Sequence, residues 1–213
     1  MKQILIILFI STLLTASMQA QRAYKEGTKI IFDLTVAAGM PAGAVTNVKK
    51  YTGTFTPRQD ELGPNNDESS SINATVYHKL EIAPRDVNTS GNLDDTGTLT
   101  MPWVDAFNTC KSLTYDGGGW RLPTQRELML MFMFLPAFNT FLNDGSIYNG
   151  TPFADVNYWS STEYRNDKLR SWFVNFSRGN TNSVIKTDYN MQRVRCVREV
   201  PIETSSPESI ITA

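Results

Sequence analysis

The chain has 213 residues, a formal net charge of −1, and 41% hydrophobic and 11% aromatic residues. This composition is typical of a globular protein and excludes an intrinsically disordered chain. The small net charge hides an uneven distribution, because residues 58–95 carry eight acidic and three basic side chains, whereas residues 164–198 carry eight basic and two acidic ones.

The first twenty residues predict export. Lys2 is followed by an apolar run from Ile4 to Leu14 and then by small and polar residues up to Ala20. This order is typical of a secretory signal peptide, and the run is shorter than the roughly twenty apolar residues that span a bilayer. We therefore expect residues 1–20 to be removed and no transmembrane segment to remain. The mature protein is expected to be secreted or on the cell surface, in the periplasm or on the outer-membrane exterior.

Residues 21–98 predict a β-rich N-terminal extension with long loops. Residues 29–36 and 76–82 are rich in β-branched and aromatic side chains and predict two strands. Residues 57–75, which separate them, are dense in turn-forming side chains and predict a surface loop. The only histidine, His78, falls in the second predicted strand, so we expect no catalytic site built on histidine.

Residues 86–94 have part of the pattern of a calcium-binding loop. Oxygen-bearing side chains occupy positions 1, 3, 5 and 9 of an EF-hand-like loop, and Gly91 occupies position 6. Position 12 is Gly97, where a bidentate glutamate is required, and no predicted helices flank the segment. We therefore expect a turn-rich connection, with no metal site and no cofactor.

Two helices follow in the chain. Thr100 is predicted to cap the first, because Trp103, Phe107 and Cys110 then fall on one face. The glycine run at residues 117–119 is predicted to end this helix.

The second predicted helix begins at Thr124, whose hydroxyl forms a capping box with the Glu127 carboxylate. Its body, residues 128–135, is apolar on every side and therefore has to be covered on nearly every side. The cover is either the N-terminal strands or a partner subunit, and we expect the N-terminal strands.

The rest of the chain predicts short strands at residues 156–163, 171–177, 184–187 and 193–200, followed by a polar tail at residues 201–213. Its two cysteines are Cys110 and Cys196. In an exported chain they predict one disulfide.

Several motifs stand in a fixed order in the second half of the chain. Residues 118–124 (GGWRLPT) follow the cysteine-bearing helix, and residues 158–163 (YWSSTE), 172–176 (WFVNF) and 194–198 (VRCVR) come after them. This order resembles the bacterial major paralogous domain family, which is related to the C-terminal domain of the Lcl adhesin, over about residues 99–199.

The resemblance implies an α+β protein with a C-type-lectin-like domain at residues 99–200. In that fold two helices flank a small twisted antiparallel sheet with long loops, and a disulfide joins the first helix to the last strand. The resemblance also implies exported proteins that act as adhesins or as parts of fimbrial assemblies. The most motif-bound residues are interpreted as fold determinants, with Arg121 holding loop carbonyls: Trp120, Arg121, Pro123, Thr124, Glu127, Trp159 and Trp172.

The loops between the last strands are the predicted ligand site. Their side chains combine aromatic faces, amides and guanidinium groups, which suit sugars or protein surfaces. The predicted ligand-binding residues are Tyr164, Arg165, Asn166, Lys168, Arg178, Asn180, Asn182, Asp188, Tyr189 and Asn190. The basic residues of the 164–198 segment either form a surface that attracts anions or pair with the acidic 58–95 segment.

These observations predict an exported ligand-binding or adhesion protein that recognises a glycan or a surface protein. The alternative is a structural or tip subunit of a fimbria-like assembly, with other subunits as partners. The calcium-and-sugar triplets of lectins with this fold do not occur in the sequence. An enzyme is not expected, because the formylglycine-generating enzymes of this fold class need reactive cysteines and both cysteines here occupy disulfide positions. An exported protein is not expected to bind nucleic acid.

Overall fold

The structure is a computed structural model. It describes residues 22–34, 79–94, 99–145, 147, 150–164, 167, 169–187 and 192–200. The predicted signal peptide, the 57–75 loop, His78 and the polar tail lie outside the described residues. The described part is an α+β fold with three helices and two four-stranded sheets. Within it, no helix has the length and apolar character needed to cross a membrane.

Sheet A combines the two ends of the chain. Its antiparallel strands are β1 (Arg22–Glu26), β2 (Lys29–Asp33), β3 (Lys79–Ile82) and β8 (Val197–Glu199), in the order β1-β2-β3-β8. Because β8 pairs with β3, the N-terminal extension and the C-terminal half share one sheet. Strand β1 was not predicted, since its sequence RAYKE lacks the β-branched residues that favour strands.

Sheet B is formed by the second half of the chain. Its strands are β4 (Asn157–Glu163), β5 (Arg170–Asn175), β6 (Thr181–Ile185) and β7 (Gln192–Arg193), in the order β6-β5-β4-β7. Strand β7 runs parallel to β4, and the other pairs are antiparallel. The strand predicted at residues 184–187 is present, but its predicted bounds are wrong, because β6 begins at Thr181 and ends at Ile185. The predicted strand at residues 193–200 divides into β7 and β8, which belong to different sheets.

Helix α1 (Trp103–Ser112) buries the predicted face, but its predicted cap is wrong. Its N-cap is Pro102, with an extended backbone and no side-chain cap, so Thr100 lies outside the helix. The helix ends at Ser112, before the glycine run, and a short 3-10 turn at Tyr115–Gly117 follows it.

The apolar helix predicted from Thr124 onward is two helices, α2 (Gln125–Met133) and α3 (Leu135–Asn143). The capping box of Thr124 and Glu127 is confirmed. Helix α2 ends at Met133 with Phe134 as its C-cap, and Pro136 lies in the first turn of α3, where a missing N–H is tolerated. The sequence predicted two helices, whereas the structure has three. The division was missed because the apolar residues continue across this junction without a polar break.

The first hydrophobic core lies between sheet A, the helices α2 and α3, and one face of sheet B. Phe32 of β2 packs against Phe134 and Phe138, with ring centroids 5.2 and 5.4 Å apart. The N-terminal strands therefore supply the cover that we expected for the apolar helix. Among the apolar side chains of α2, only Met133 stays largely in solvent, at 67% exposure.

The second hydrophobic core lies on the other face of sheet B, where α1 packs. It contains Trp103, Trp120 and Trp159. The predicted disulfide is confirmed within this core: Cys110 of α1 is bonded to Cys196, just before β8, with the Cα atoms 5.5 Å apart. Sheet B therefore separates two cores, and the disulfide stabilises only one of them directly.

Candidate ligand-binding site

Most basic residues of the 164–198 segment are engaged inside the fold. Arg195 is fully buried and its Nε donates to Asp86 Oδ1 at 2.7 Å. Arg193 also lies 3.6 Å from Asp86, and Arg198 lies 2.7 Å from Glu81. For these three arginines, the predicted pairing with the acidic 58–95 segment is therefore confirmed. The alternative prediction, that they form a surface that attracts anions, is wrong for them.

The remaining basic residues of that segment differ among themselves. Lys186 forms a buried ion pair with Glu163 and lies 4.5 Å from the centre of the Trp103 ring. Arg170 hydrogen-bonds Ser183, and Arg178 is exposed on a turn. Arg165 and Lys168 lie outside the described residues.

Asp86 is at the centre of a buried polar network. The Tyr158 hydroxyl donates to its Oδ2 at 3.1 Å, and burial together with the Asp86 charge raises the pKa of Tyr158. The side chain of Arg195 also lies 4.3 Å from the centre of the Phe153 ring. The Asp86 carboxylate, which would be the first ligand of an EF-hand-like calcium loop, is therefore already engaged in this network.

The turn-rich interpretation of residues 86–94 is confirmed. The Asn88 side-chain oxygen accepts hydrogen bonds from the backbone N–H groups of Ser90 and Asn92, and Gly91 has a φ of 74°. In the described part of the chain, no group of three or more His, Cys, Asp or Glu side chains is arranged to hold a metal ion.

Arg121 joins the start of α2 to β8. It makes two hydrogen bonds to the Glu127 carboxylate, at 2.7 and 2.6 Å, and a third to Glu199 at 2.7 Å. Burial alone would lower the pKa of Arg121, but the charges and hydrogen bonds of Glu127 and Glu199 together outweigh it and raise the pKa. A carbonyl contact of the expected kind is present, because Arg121 also donates to the Leu122 carbonyl at 3.3 Å, but the hydrogen bonds to the two carboxylates are shorter.

Three of the four tryptophans are anchored by a hydrogen bond. The indole N–H of Trp103 donates to the Ser160 carbonyl at 2.6 Å, and that of Trp159 donates to the Met101 carbonyl at 2.7 Å. The Trp120 indole donates to the Tyr115 carbonyl at 2.7 Å. All three side chains are buried, so each N–H has the partner that a buried donor requires.

The fourth tryptophan, Trp172, differs in both respects. It is half-buried, and its indole N–H has no hydrogen-bond partner in the structure as described. Its ring meets Tyr164 edge to face, with centroids 5.4 Å apart and an interplanar angle of 77°. A solvent-accessible indole with an unused donor is the kind of group that binds ligands.

Trp172 lies in a small surface that we call the aromatic ledge, formed by Tyr164, Arg170, Trp172, Ser183 and Ile185. The register places Trp172 opposite Ser183 and Arg170 opposite Ile185, so the four side chains share one face of β5 and β6. Ile185 is 50% exposed. The Arg170 guanidinium lies along β6, where Nε donates to Ser183 Oγ at 3.2 Å and Nη2 donates to the Ser183 carbonyl.

Strand β6 is an edge of sheet B, and its outward backbone groups are capped at Ser183. Lys186 N–H donates to Leu169 and Asn175 N–H donates to Asn180, so the antiparallel alternation turns the backbone of Ser183 away from β5. The Ser183 N–H donates to the Asn182 side chain at 2.7 Å, and Arg170 occupies the Ser183 carbonyl. These caps block the addition of another strand at the centre of the edge.

The predicted ligand-binding residues fall at two ends of sheet B. Tyr164 is at the Arg170 end of β5, where its N–H donates to the Arg170 carbonyl, and Arg178 and Asn180 are in the turn beyond Asn175. The ends of the six-residue strand β5 are about 17 Å apart at roughly 3.4 Å per residue. One small ligand therefore cannot contact both ends. Asn182 lies in β6, and the remaining predicted residues lie outside the described part of the chain: Arg165, Asn166, Lys168, Asp188, Tyr189 and Asn190.

The turn that carries Arg178 is fixed against α2. Gly179 has a φ of 69°, and a side chain at this position would overlap the ring of Phe132. The turn can therefore approach α2 this closely only because Gly179 has no side chain. This end of sheet B is packed and polar, in contrast to the aromatic ledge.

A concave surface lies outside sheet A. This charged cleft has a volume of about 690 Å³ and is lined by side chains of both signs. They include Glu26, Lys29, Glu81, Asp116, Arg198 and Glu199.

The charges of this cleft satisfy one another. Lys29 lies 2.8 Å from Asp116, and Arg198 pairs with both Glu81 and Asp116. The hydrogen bonds from Lys29 and Arg198 lower the pKa of Asp116. Burial alone would lower the pKa of Arg198, but its hydrogen bonds to Glu81 and Asp116 outweigh burial and raise it. These ion pairs therefore hold the 115–119 loop against sheet A.

Fold and site together define a disulfide-linked α+β domain in which two hydrophobic cores leave one aromatic surface open to solvent. The Lcl C-terminal domain family matches residues 65–198, and the chain belongs to this family. The match begins before the motif-bearing segment and includes β3. A comparison with curated proteins finds no match.

Proposed function

We propose that this protein is an exported, surface-associated binding or adhesion protein that recognises its ligand at the aromatic ledge. Membership of the Lcl C-terminal domain family supports a bacterial surface role. The apolar stretch that starts the sequence supports export. The observation that carries the proposal is the half-buried Trp172, whose indole N–H has no partner among the described residues.

A C-type-lectin-like fold for residues 99–200 is part of this proposal. It is supported by the disulfide between α1 and the segment before β8, and by the antiparallel arrangement of β4, β5 and β6. Sheet A extends that arrangement with the three N-terminal strands. A non-enzymatic role is supported by the disulfide, because neither cysteine is a free thiol.

The alternative role is that of a structural subunit in a fimbria-like assembly. Strand addition at an open sheet edge is one common way to build such contacts. The capped backbone of Ser183 disfavours that contact at β6. We therefore rank ligand binding first.

An array of glycans and surface proteins tests the proposal with the full mature chain and two variants. We expect specific binding by the unaltered protein and a loss of at least about tenfold in Trp172→Ala, because buried tryptophans dominate binding surfaces. Met133→Ser is the matched control, since Met133 is a more exposed apolar side chain on another element. Absence of any ligand, or equal binding by Trp172→Ala, would contradict the proposal.

A further inference from the structure

The chemistry of the aromatic ledge discriminates between classes of ligand. A sugar presents several hydroxyl groups, each of which donates as well as accepts and therefore needs acceptors at its binding site. A peptide segment presents apolar side chains, which need apolar surface, and a backbone in which carbonyl groups accept and N–H groups donate. The donors and acceptors that remain unoccupied around Trp172 therefore indicate which class of ligand binds.

Among the described residues, four backbone and amide acceptors around Trp172 are already occupied. The Trp172 carbonyl accepts from Ser160 Oγ at 2.8 Å, and the Phe173 carbonyl accepts from Thr181 Oγ1 at 2.7 Å. The Ser183 carbonyl accepts from Arg170, and the Asn182 side-chain oxygen accepts from the Ser183 N–H. A sugar hydroxyl that was desolvated here would compete for acceptors that already have donors, which is unfavourable.

The described residues of the ledge offer apolar surface, the indole donor of Trp172 and the hydroxyl group of Tyr164. Trp172 and Tyr164 present aromatic surface, and the half-exposed Ile185 lies on the same face of the sheet as Trp172. The Trp172 indole N–H is unused in the structure as described. An aliphatic side chain and an adjacent carbonyl match the apolar surface and the indole donor.

We propose that the aromatic ledge binds an apolar peptide segment of a protein ligand, with an aliphatic side chain against Trp172 and Ile185 and a peptide carbonyl accepting from Trp172 Nε1. This inference rests on the proposed ligand-binding function. The segment docks through its side chains and does not extend sheet B, because Asn182 and Arg170 cap the edge at Ser183.

The indole N–H signals in a nitrogen–proton NMR spectrum of the full mature chain test this directly. The chain has four tryptophans, and the signal that disappears in Trp172→Phe is that of Trp172. The probes are an acetylated and amidated leucine–alanine–leucine tripeptide and methyl β-glucopyranoside, each at millimolar concentration. We expect the tripeptide to shift the Trp172 signal downfield, to leave the other three in place, and the glucoside to shift none.

Variants at exposed positions identify the apolar contact without disturbing the fold. Ile185→Ser is expected to weaken tripeptide binding by about fivefold, because it removes aliphatic surface from the contact. Met133→Ser is expected to leave the affinity unchanged.

The outcomes separate this inference from the proposed function. A Trp172 shift with the glucoside but not with the tripeptide would overturn the peptide ligand and would support ligand binding at the ledge. No shift with either probe would also overturn the peptide ligand. The array tests the proposed function separately, and that function fails if the array finds no binding that depends on Trp172.

Discussion

The two faces of sheet B use tryptophan in opposite ways. On the face that packs against α1, Trp103 and Trp159 are fully buried and donate to backbone carbonyls. On the opposite face Trp172 is half-buried and has no such partner in the described structure. The comparison teaches that the same residue type stabilises the fold where its donor is satisfied and becomes available to ligands where it is not.

The largest expected effect comes from removing the N-terminal strands. Residues 99–213 alone lose β1, β2 and β3, which form three of the four strands of sheet A and cover Leu128, Met131 and Phe138. We expect this fragment to aggregate or to lose cooperative unfolding, because its first core is exposed to water. Size-exclusion chromatography and thermal unfolding beside the full mature chain measure this. A soluble monomer with an unchanged melting temperature would show that the first core does not need the cover of these three strands.

The next effect comes from breaking the Asp86 network. Asp86→Ala leaves the fully buried Arg195 without its carboxylate, which we expect to lower the free energy of unfolding by about 3–5 kcal/mol. Arg178→Ala, on an exposed turn, serves as the control and should change it by less than about 0.5 kcal/mol. Urea denaturation measures both. Equal stability of the two variants would show that Arg195 does not depend on Asp86.

A matched pair of tryptophan variants tests the comparison itself. Trp159→Phe leaves a cavity and deprives the Met101 carbonyl of its donor, and we expect a loss of about 2–4 kcal/mol. Trp172→Phe replaces a half-buried indole, whose donor is unused in the described structure, by a smaller ring. We expect it to lower the free energy of unfolding by less than about 1 kcal/mol. Equal losses in urea denaturation would contradict the distinction between the two faces.

The smallest expected effect concerns pH at the charged cleft. Hydrogen bonds from Lys29 and Arg198 lower the pKa of Asp116 in the folded state from the ordinary value of 3.8. The stabilisation is therefore present above that value and is lost as the pH falls through the lowered pKa. The unaltered protein should lose more stability than Asp116→Asn when acidified below about pH 4. Asparagine suits this position because Asp116 has a φ of 46°. Identical acid sensitivity of the two proteins in denaturant midpoints would rule out this contribution.

Local signals in the sequence predicted much of the fold. The capping box of Thr124 and Glu127 and the pairing of Cys110 with Cys196 are confirmed, because each depends on few residues with specific chemistry. The division of the apolar run at Phe134 was missed, since an unbroken hydrophobic pattern does not mark a change of helix. Strand β1 was missed because its pairing with β2 depends on tertiary context more than on its own propensity.

The candidate site was predicted only in part. Tyr164 was among the predicted ligand-binding residues, whereas Trp172 was assigned to the core with the other motif tryptophans. Sequence alternation along β5 places Trp172 on one face with Val174, but only the structure shows that Val174 is buried and Trp172 is not. Similarly, local charge counting could not show that Arg193 and Arg195 share Asp86, because those contacts join residues far apart in the chain.

Hydrogen exchange of the four indole N–H groups tests the central claim most directly. In deuterated buffer, the indole protons of Trp103, Trp120 and Trp159 should exchange slowly, because each is buried and donates to a carbonyl. The Trp172 indole proton should exchange fast, within the first spectrum recorded. Protection of Trp172 equal to that of the other three would contradict an open donor at the aromatic ledge, and with it the proposed binding site.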